Sequence, residues 1–443
     1  MSFTASAYQN EYLAAGATEV HAVVTVTATG GAAPVAATER AVILIVDTSG
    51  SMTQPSRKIR AARRAIAAAV EELPDGTWFA IVAGSDVAAA AYPPLRRGDP
   101  VQLVQADATT RAEAVTVAKA LEAGGGTAIS RWLDLALAFF SSRPDAIKLA
   151  YLVTDGQNQS EEPPALAAAL DRCRGIFQCD ARGVGADWDV AELRGITSAL
   201  LGEVDIIKSA DEMDDDFRAF LERALGKTVA DVNLRVWAPQ GASVSFVRQV
   251  APTIEDLTDK AVAVNPLSAD YPTGAWSGDE SRDYHVCVAV PPGQVGEERL
   301  AARVSLVVAD TPVSQALVKA IWTEDEALSA RIAPAVAHYT GQAELADAIR
   351  EGLDARTAGD DRTATIKLGR AVQLADASGN EGTVRLLQKV VEVDDAATGT
   401  VRLKREVEAV DAMALDTRST RTVRVTAKPP TPAPPASSTE GGA

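Results

Sequence analysis

The chain has 443 residues, which is too long for one ordinary hydrophobic core and predicts a division into several units. Its formal net charge of −17 disfavours binding to nucleic-acid phosphates and to anionic membrane surfaces. Three cysteines without C-x-x-C spacing predict neither a disulfide framework nor a zinc site, and no stretch is apolar enough for membrane insertion.

The first predicted element is a strand at residues 19–30, where apolar and small polar residues alternate. Such alternation is typical of a half-buried antiparallel strand. No partner strand is evident next to it, so its partner is expected far along the chain. We therefore assign residues 1–38 to the N-terminal strands of a β-sandwich.

Residues 39–226 alternate predicted strands and helices, which is typical of an α/β fold with a doubly wound, mainly parallel sheet. The apolar run at 41–46 leads directly into Asp47, Ser49 and Ser51, in the pattern D-x-S-x-S. These residues alternate along the chain, so in an extended loop their side chains point the same way. Ligands of open α/β sheets bind where loops leave the carboxyl ends of the strands. The pattern therefore predicts a ligand site at this strand end.

Two further loops supply oxygen atoms to the same region. A glycine loop at 124–126 precedes Thr127 and a predicted helix, and a second apolar strand at 149–154 ends at Asp155. Hydroxyl and carboxylate oxygens suit a hard cation, and small hydroxyl donors with few carboxylates favour Mg2+. Mn2+ and Ca2+ also accept oxygen donors, so both remain alternatives.

These motifs, in this order, resemble the von Willebrand factor type A (VWA) domain with an intact metal-ion-dependent adhesion site. The resemblance covers roughly residues 39 to 225. It implies that the metal-site positions are Asp47, Ser49, Ser51, Thr127 and Asp155. It also implies direct coordination by the hydroxyls, direct or water-mediated binding by the carboxylates, and a partner protein that supplies an Asp or Glu side chain to the cation.

The chain changes character twice after residue 226. Residues 227–312 alternate with period two between Pro and Gly turns, which predicts an antiparallel β-sandwich that the strand at 19–30 completes. The α/β unit would then be an insertion in the sandwich. Residues 313–395 predict an α-helical module, with helices at 327–339, 344–355, 362–376 and 381–391. A repeat-type scaffold remains an alternative for this module.

The C-terminal part divides into a basic segment at 396–428 and a Pro-rich tail at 429–443 that is expected to be disordered. Residues 416–425 alternate like a strand. Their threonines are candidate kinase targets for a phosphothreonine-binding partner, and an edge strand with a solvated basic face is the alternative interpretation.

The predicted function is metal-dependent protein–protein interaction, within a larger assembly or signalling complex. A scaffold with a structural metal, in which the helical module or C-terminal segment recruits partners, is the alternative, and a Mg2+-dependent hydrolase is a third. No P-loop or Ser-His-Asp arrangement supports catalysis, and the distant His21, His285 and His338 are interpreted as structural. The first 16 residues lack a signal-peptide pattern, which predicts a cytoplasmic protein, and the Ala- and Arg-rich composition fits a GC-rich bacterial genome.

Overall fold

The chain begins in a β-sandwich, as seen in the computed structural model, which describes residues 1–30, 39–53 and 57–424. The first strands are β1 (Ser2–Gln9), β2 (Tyr12–Ala14) and β3 (Glu19–Thr29). Alternate residues of β3, such as Val20 and Ala22, are fully buried in the sandwich core, whereas Glu19 and His21 point to the opposite face. The alternation of apolar and polar residues therefore arises because one face of β3 packs in the core and the other does not.

An α/β unit follows β3. Its strands are β4 (Arg40–Asp47), β5 (Trp78–Gly84), β6 (Ala88–Tyr92), β7 (Val104–Gln105), β8 (Ile147–Thr154), β9 (Gln178–Val184) and β10 (Val204–Ile207). Its helices are α1 (Arg57–Glu71), α2 (Ala108–Ala120), α3 (Ile129–Phe140), α4 (Pro163–Cys173), α5 (Val190–Ala199) and α6 (Met213–Gly226).

The sheet of this unit has the order β10-β9-β8-β4-β5-β6, with β7 beside β5. The five strands from β10 to β5 are parallel, and β6 and β7 pair antiparallel to β5. Helices α1, α2 and α6 pack on one face, and α3, α4 and α5 pack on the other. Because both faces are covered, β4 is a continuous apolar run in the centre of the sheet.

The chain then returns to the sandwich. The remaining strands are β11 (Lys227–Trp237), β12 (Ser243–Ala251), β13 (Glu255–Asp256), β14 (Val262–Asn265), β15 (Ser268–Ser277), β16 (Ser281–Ala289), β17 (Glu298–Val308) and β18 (Thr311–Thr323). They complete two sheets, ordered β1-β3-β16-β12-β13 and β14-β15-β11-β17-β18-β2. The prediction that the strand at 19–30 has no partner nearby is wrong, because β1 pairs antiparallel with one side of β3. On its other side β3 pairs with β16, the expected long-range partner, so the α/β unit is inserted in the sandwich.

A helical region ends the described chain. It consists of α7 (Glu326–Ser329), α8 (Pro334–Thr357), α9 (Asp361–Ala377), α10 (Glu381–Val390), the hairpin β19 (Val391–Asp395) and β20 (Thr400–Leu403), and α11 (Ala409–Arg418). The predicted fold class, an α/β unit with antiparallel sheets and a C-terminal helical region, is confirmed. Within the described ranges, no helix is long and apolar enough to cross a membrane.

The predicted start of the helical module at residue 313 is wrong, because β18 continues the sandwich to Thr323. Every second residue of its later half faces the core, with Val318, Ala320 and Trp322 fully buried. The predicted helices 327–339 and 344–355 are also wrong as separate elements. Their first residues belong to α7, and residues 334–355 lie in the single helix α8, in which Gly341 is an interior residue. The cost of one glycine in a helix, about 1 kcal/mol relative to alanine, is offset by burial of neighbours such as Tyr339.

The strand predicted at 416–425 is wrong at its beginning, because α11 extends to Arg418 and buries Ala414 and Leu415 completely. Thr417 is 2% exposed, and the hydroxyl of Thr422 donates to the carbonyl of Val250 at 2.6 Å, so neither is free for a kinase. A phosphothreonine-binding partner stays a prediction for the other threonines. The tail at 429–443, with residues 425–428, lies outside the described residues.

Candidate metal centre

The parallel sheet brings the two predicted carboxylates together. Asp47 is the last residue of β4, and Asp155 follows directly after β8. The two strands are neighbours, with Val46 paired to Val153, so both strands end at the same edge. Both carboxylates are completely buried. The carboxyl edge of the sheet therefore holds two acidic groups shielded from water.

Hydrogen bonds fix the orientation of the Asp47 carboxylate. One oxygen, Oδ1, accepts the backbone N–H of Ser49 at 2.7 Å, and Oδ2 accepts the hydroxyl of Thr154 at 2.5 Å. Thr154 is the last residue of β8, so the end of β8 orients the carboxylate at the end of β4. The sequence analysis missed Thr154, whose only signal is its position at the end of a strand.

The two serine hydroxyls lie between the carboxylates. The Oγ atoms of Ser49 and Ser51 are 2.8 Å apart, and the Ser51 hydroxyl donates to Asp155 Oδ1 at 2.6 Å. Ser49 is buried, whereas Ser51 is exposed. The cluster therefore opens to solvent at Ser51.

Thr127 faces the same space from the glycine loop. A Cβ atom built on Gly156 would lie 3.2 Å from Ser51 Oγ and 3.7 Å from Thr127 Oγ1, so both hydroxyls border the small volume beside that glycine. The backbone N–H of Gly50 donates to the carbonyl of Gly125 at 3.0 Å and holds the two loops together. Gly125 has a φ of 83°, a conformation that favours glycine. All five predicted residues thus belong to one cluster.

The loop after Asp155 caps α3, the helix that begins two residues after Thr127. The N-cap residue of α3 is Ala128, whose side chain cannot accept a hydrogen bond. Instead, Asn158 Oδ1 accepts the N–H of Ile129, and Glu161 Oε1 accepts that of Ser130, each at 3.0 Å. Neither cap is evident from the sequence. An alanine at an N-cap signals that the free N–H groups need another partner, but only the fold identifies it.

Lys58 is a further member of the site that the sequence analysis missed. Its Nζ lies 2.7 Å from Asp155 Oδ2 and 3.5 Å from a carboxylate oxygen of the exposed Asp187. The Lys58 side chain is only 11% exposed. It lies on the buried face of α1, where helical periodicity alone predicts packing and not a charged contact.

The charges of the cluster are compatible with a bound cation. Burial raises the pKa of Asp47, hydrogen bonds from Ser49 and Thr154 oppose that rise, and the nearby Asp155 adds to it. Two carboxylates faced by the single ammonium of Lys58 leave one formal negative charge in a buried site. Carboxylates with hydroxyls are also the oxygen donors that a hard divalent cation prefers. The residues therefore fit such a cation.

The histidines lie elsewhere, and two of them that are distant in the sequence are neighbours in the fold. His21 Nδ1 and His285 Nε2 are 3.2 Å apart, because β3 and β16 pair side by side in the sandwich. Burial, together with the neighbouring His21 and Arg248, lowers the pKa of His285 to about 4, so this imidazole is neutral. Sequence separation concealed the pair. His338 Nε2 lies 2.7 Å from the carbonyl oxygen of Val423.

Family models and a solved structure of the same family match this chain. Residues 40–206 match the model of the von Willebrand factor type A domain, and residues 373–419 match that of the von Willebrand factor type A C-terminal domain. A solved von Willebrand factor type A protein from Catenulispora acidiphila is 50% identical, with 96% of this chain and 97% of that chain covered and a TM-score of 0.90.

Two solved structures of low identity share the fold. The ArnB paralog VWA2 from Sulfolobus acidocaldarius is 15% identical, covers 95% of this chain and 98% of its own, and has a TM-score of 0.59. The human COPII-coat protein Sec24c is 11% identical, covers 87% of this chain and 58% of its own, and has a TM-score of 0.54. A comparison with curated proteins found no match.

Proposed function

Since the chain belongs to the von Willebrand factor type A family, we propose that it is a protein-interaction module whose partner binds through a divalent cation. The cation would be held by Asp47, Ser49, Ser51, Thr127 and Asp155. The observation that carries this proposal is the convergence of two buried carboxylates and three hydroxyls on one small space at the carboxyl edge of the sheet.

The carboxylates and the hydroxyls would contribute differently to cation binding. Asp47 and Asp155 supply negative charge, and hydrogen bonds from Ser49, Ser51 and Thr154 keep them in place. The hydroxyls are neutral, so they satisfy coordination while leaving positive character on the ion. When bound, the cation supplies an exposed position that favours an anionic oxygen, and an Asp or Glu side chain of a partner is the protein group with that chemistry.

Ser51 gives the direction from which a partner would approach. It is the exposed member of a cluster whose other four side chains are buried. A carboxylate that arrives at Ser51 meets the site without any movement of the sheet. Selectivity among partners would then come from the surface around this opening. We propose that the interaction forms part of a larger assembly.

We also propose that the site binds Mg2+ in preference to Mn2+ or Ca2+ and does not catalyse a reaction. Among the residues that the structure describes, two carboxylates line it, whereas Ca2+ takes six to eight oxygen ligands and often several carboxylates. The basic side chain nearest the carboxylates is Lys58, which is held in an ion pair with Asp155. An ammonium in that pair has no lone pair with which to act as a general base.

Metal binding is tested first with the purified full chain. Isothermal titration calorimetry with Mg2+ should show one site in the wild type, and binding should weaken strongly in Asp47→Asn and Ser51→Ala. Ser51 is exposed, so its variant is expected to fold even if the buried Asp47 variant does not. Asp171→Ala is a matched control, because that carboxylate is 76% exposed on α4.

Partner binding is then tested with the same proteins as bait, in Mg2+ and in EDTA. A partner captured by the wild type in Mg2+, and lost in EDTA and with Ser51→Ala, would support the proposal once substitution of one partner Asp or Glu also abolishes capture. Capture that is indifferent to metal and to both variants would contradict it. Attention would then move to the helical region.

A further inference from the structure

We propose a second metal site, on the β-sandwich, in which Glu19, His21 and Cys287 bind a borderline-soft divalent cation such as Zn2+. These residues lie on β3 and β16, which are neighbouring antiparallel strands. In their register His21 lies opposite Cys287 and Glu19 lies opposite Ala289. Residues two apart on a strand share a face, so all three side chains project from the outer face of this sheet.

The ligand atoms are already close enough to share one ion. Cys287 Sγ lies 3.8 Å from His21 Nε2, and His21 Nε2 lies 4.0 Å from Glu19 Oε2. All three ligand atoms lie within 4.8 Å of one another. Zn2+ bonds of about 2.0 to 2.3 Å in a tetrahedron place ligand atoms about 3.5 Å apart. Small side-chain rotations are therefore enough to close the site.

His285 contacts His21 on the ring nitrogen that would not bind the cation. Its Nε2 lies 3.2 Å from His21 Nδ1, and the ring of Phe246 packs edge-on against it with centroids 4.9 Å apart. His285 Nε2 can accept a hydrogen bond from the tautomer of His21 that carries its proton on Nδ1. That tautomer leaves the lone pair of His21 Nε2 directed at Cys287 and Glu19. A second hydrogen bond of this kind commonly orients a metal-bound histidine.

The chemistry of the donors selects the metal. One sulfur, one nitrogen and one oxygen suit Zn2+, whereas Mg2+ prefers oxygen alone, so this site and the α/β centre would hold different cations. On binding, the Cys287 thiol gives its proton to solvent and the thiolate sulfur forms the bond to the cation. The thiolate and the Glu19 carboxylate together balance the charge of a divalent ion.

The position of the site suggests its consequence for the fold. β3 is the last strand before the inserted α/β unit, and β16 belongs to the part of the sandwich that follows it. A cation bound by both strands would join the two halves of the sandwich across the insertion. Cys287 is buried, while the side chains of Glu19 and His21 are 64% and 40% exposed, which leaves a path for the ion and a fourth position for water.

The test is binding of Zn2+ and Co2+ to the full chain in the Ser51→Ala background with excess Mg2+. These conditions separate this site from the α/β centre. We expect one Zn2+ per chain, with affinity reduced on the order of 100-fold in His21→Gln and Cys287→Ser, and about tenfold in Glu19→Gln. With Co2+, the wild-type residues should give a thiolate-to-metal charge-transfer band that Cys287→Ser removes.

Matched controls are His338→Gln and Cys173→Ser, which change the same residue types elsewhere. Cys173 is completely buried, so its variant also controls for the packing effect of a buried serine. Glu19 and His21 are exposed enough for their variants to fold. Binding of Zn2+ that is equal in His21→Gln, Glu19→Gln and the controls, or an absent thiolate band, would overturn the proposal.

Discussion

Replacing Lys58 with methionine should strengthen Mg2+ binding at the proposed centre and weaken the metal-free fold. Lys58 Nζ lies 2.7 Å from Asp155 Oδ2, and the Asp155 side chain is completely buried. The ammonium therefore neutralises a carboxylate that the cation also needs, and the two positive charges compete. Methionine keeps the length and apolar packing of the side chain on α1 while removing its charge.

The size of the effect follows from the burial of the pair. Removing one partner of a buried ion pair costs about 3–5 kcal/mol. Asp155 keeps its hydrogen bond from Ser51 at 2.6 Å, and the second contact of Lys58 is to an exposed carboxylate, so a cost near 3 kcal/mol is expected without metal. A bound cation takes over the role of the ammonium and recovers most of that cost. Recovery of about 1.4 to 3 kcal/mol corresponds to roughly 10- to 100-fold tighter binding.

Calorimetric titration with Mg2+ measures the affinity, and thermal unfolding in EDTA and in Mg2+ measures the two stabilities. The melting temperature of Lys58→Met should be lower than that of the wild type in EDTA, and Mg2+ should reduce this difference in melting temperature. Lys367→Met, on an exposed face of α9, should change neither quantity. If the wild type binds Mg2+ and Lys58→Met binds it equally or more weakly, the competition argument is refuted. If the wild type binds no Mg2+, the proposed centre itself is at fault.

Three further predictions concern the packing of the domains. Asp205→Asn removes the carboxylate that accepts from Arg418 at 2.8 Å and Arg421 at 2.6 Å, so hydrogen exchange of α11 should speed up by about 10- to 100-fold; unchanged exchange would show that these ion pairs do not hold the helix. Burial alone would raise the pKa of Asp283, but hydrogen bonds from Arg424 and Tyr339 outweigh it and lower the pKa. This contact should therefore stabilise the fold above pH about 4, and its contribution should be lost as pH falls through the lowered pKa. The melting temperature of Asp283→Asn should then depend less on pH below pH about 4 than that of the wild type. An identical pH dependence would contradict the assignment. Finally, a Cβ on Gly183 would lie 1.9 Å from the buried Trp188 ring, so Gly183→Ala should destabilise by about 1–3 kcal/mol or more in urea unfolding, whereas Gly195→Ala, with open space around it, should not.

The α/β unit was the part most readable from the sequence. Its central strands are covered on both faces, so β4 and β8 appear as unbroken apolar runs with an acid at the end of each. Other elements were misassigned for identifiable reasons. The sequence predicts two helices, at 327–339 and 344–355, whereas α8 continues through Gly341 because the burial of its neighbours outweighs the cost of one glycine. Alternating Arg and Thr near the end of α11 resembles a strand pattern. Only the packing of α11 between the α/β unit and the helical region shows that Ala414 and Leu415 are core residues.

By itself, the sequence placed Asp47, Ser49, Ser51, Thr127 and Asp155 in loops at strand ends. It could do so because alternating strands and helices put the carboxyl ends of parallel strands at one edge. Only the tertiary structure brought Lys58 onto Asp155, and His21 beside Cys287 and His285. Lys58 comes from a helix that covers the sheet, and the two sandwich strands are separated in sequence by the entire α/β unit. Their register is set by the packing of the sandwich core, which no local pattern along the chain encodes.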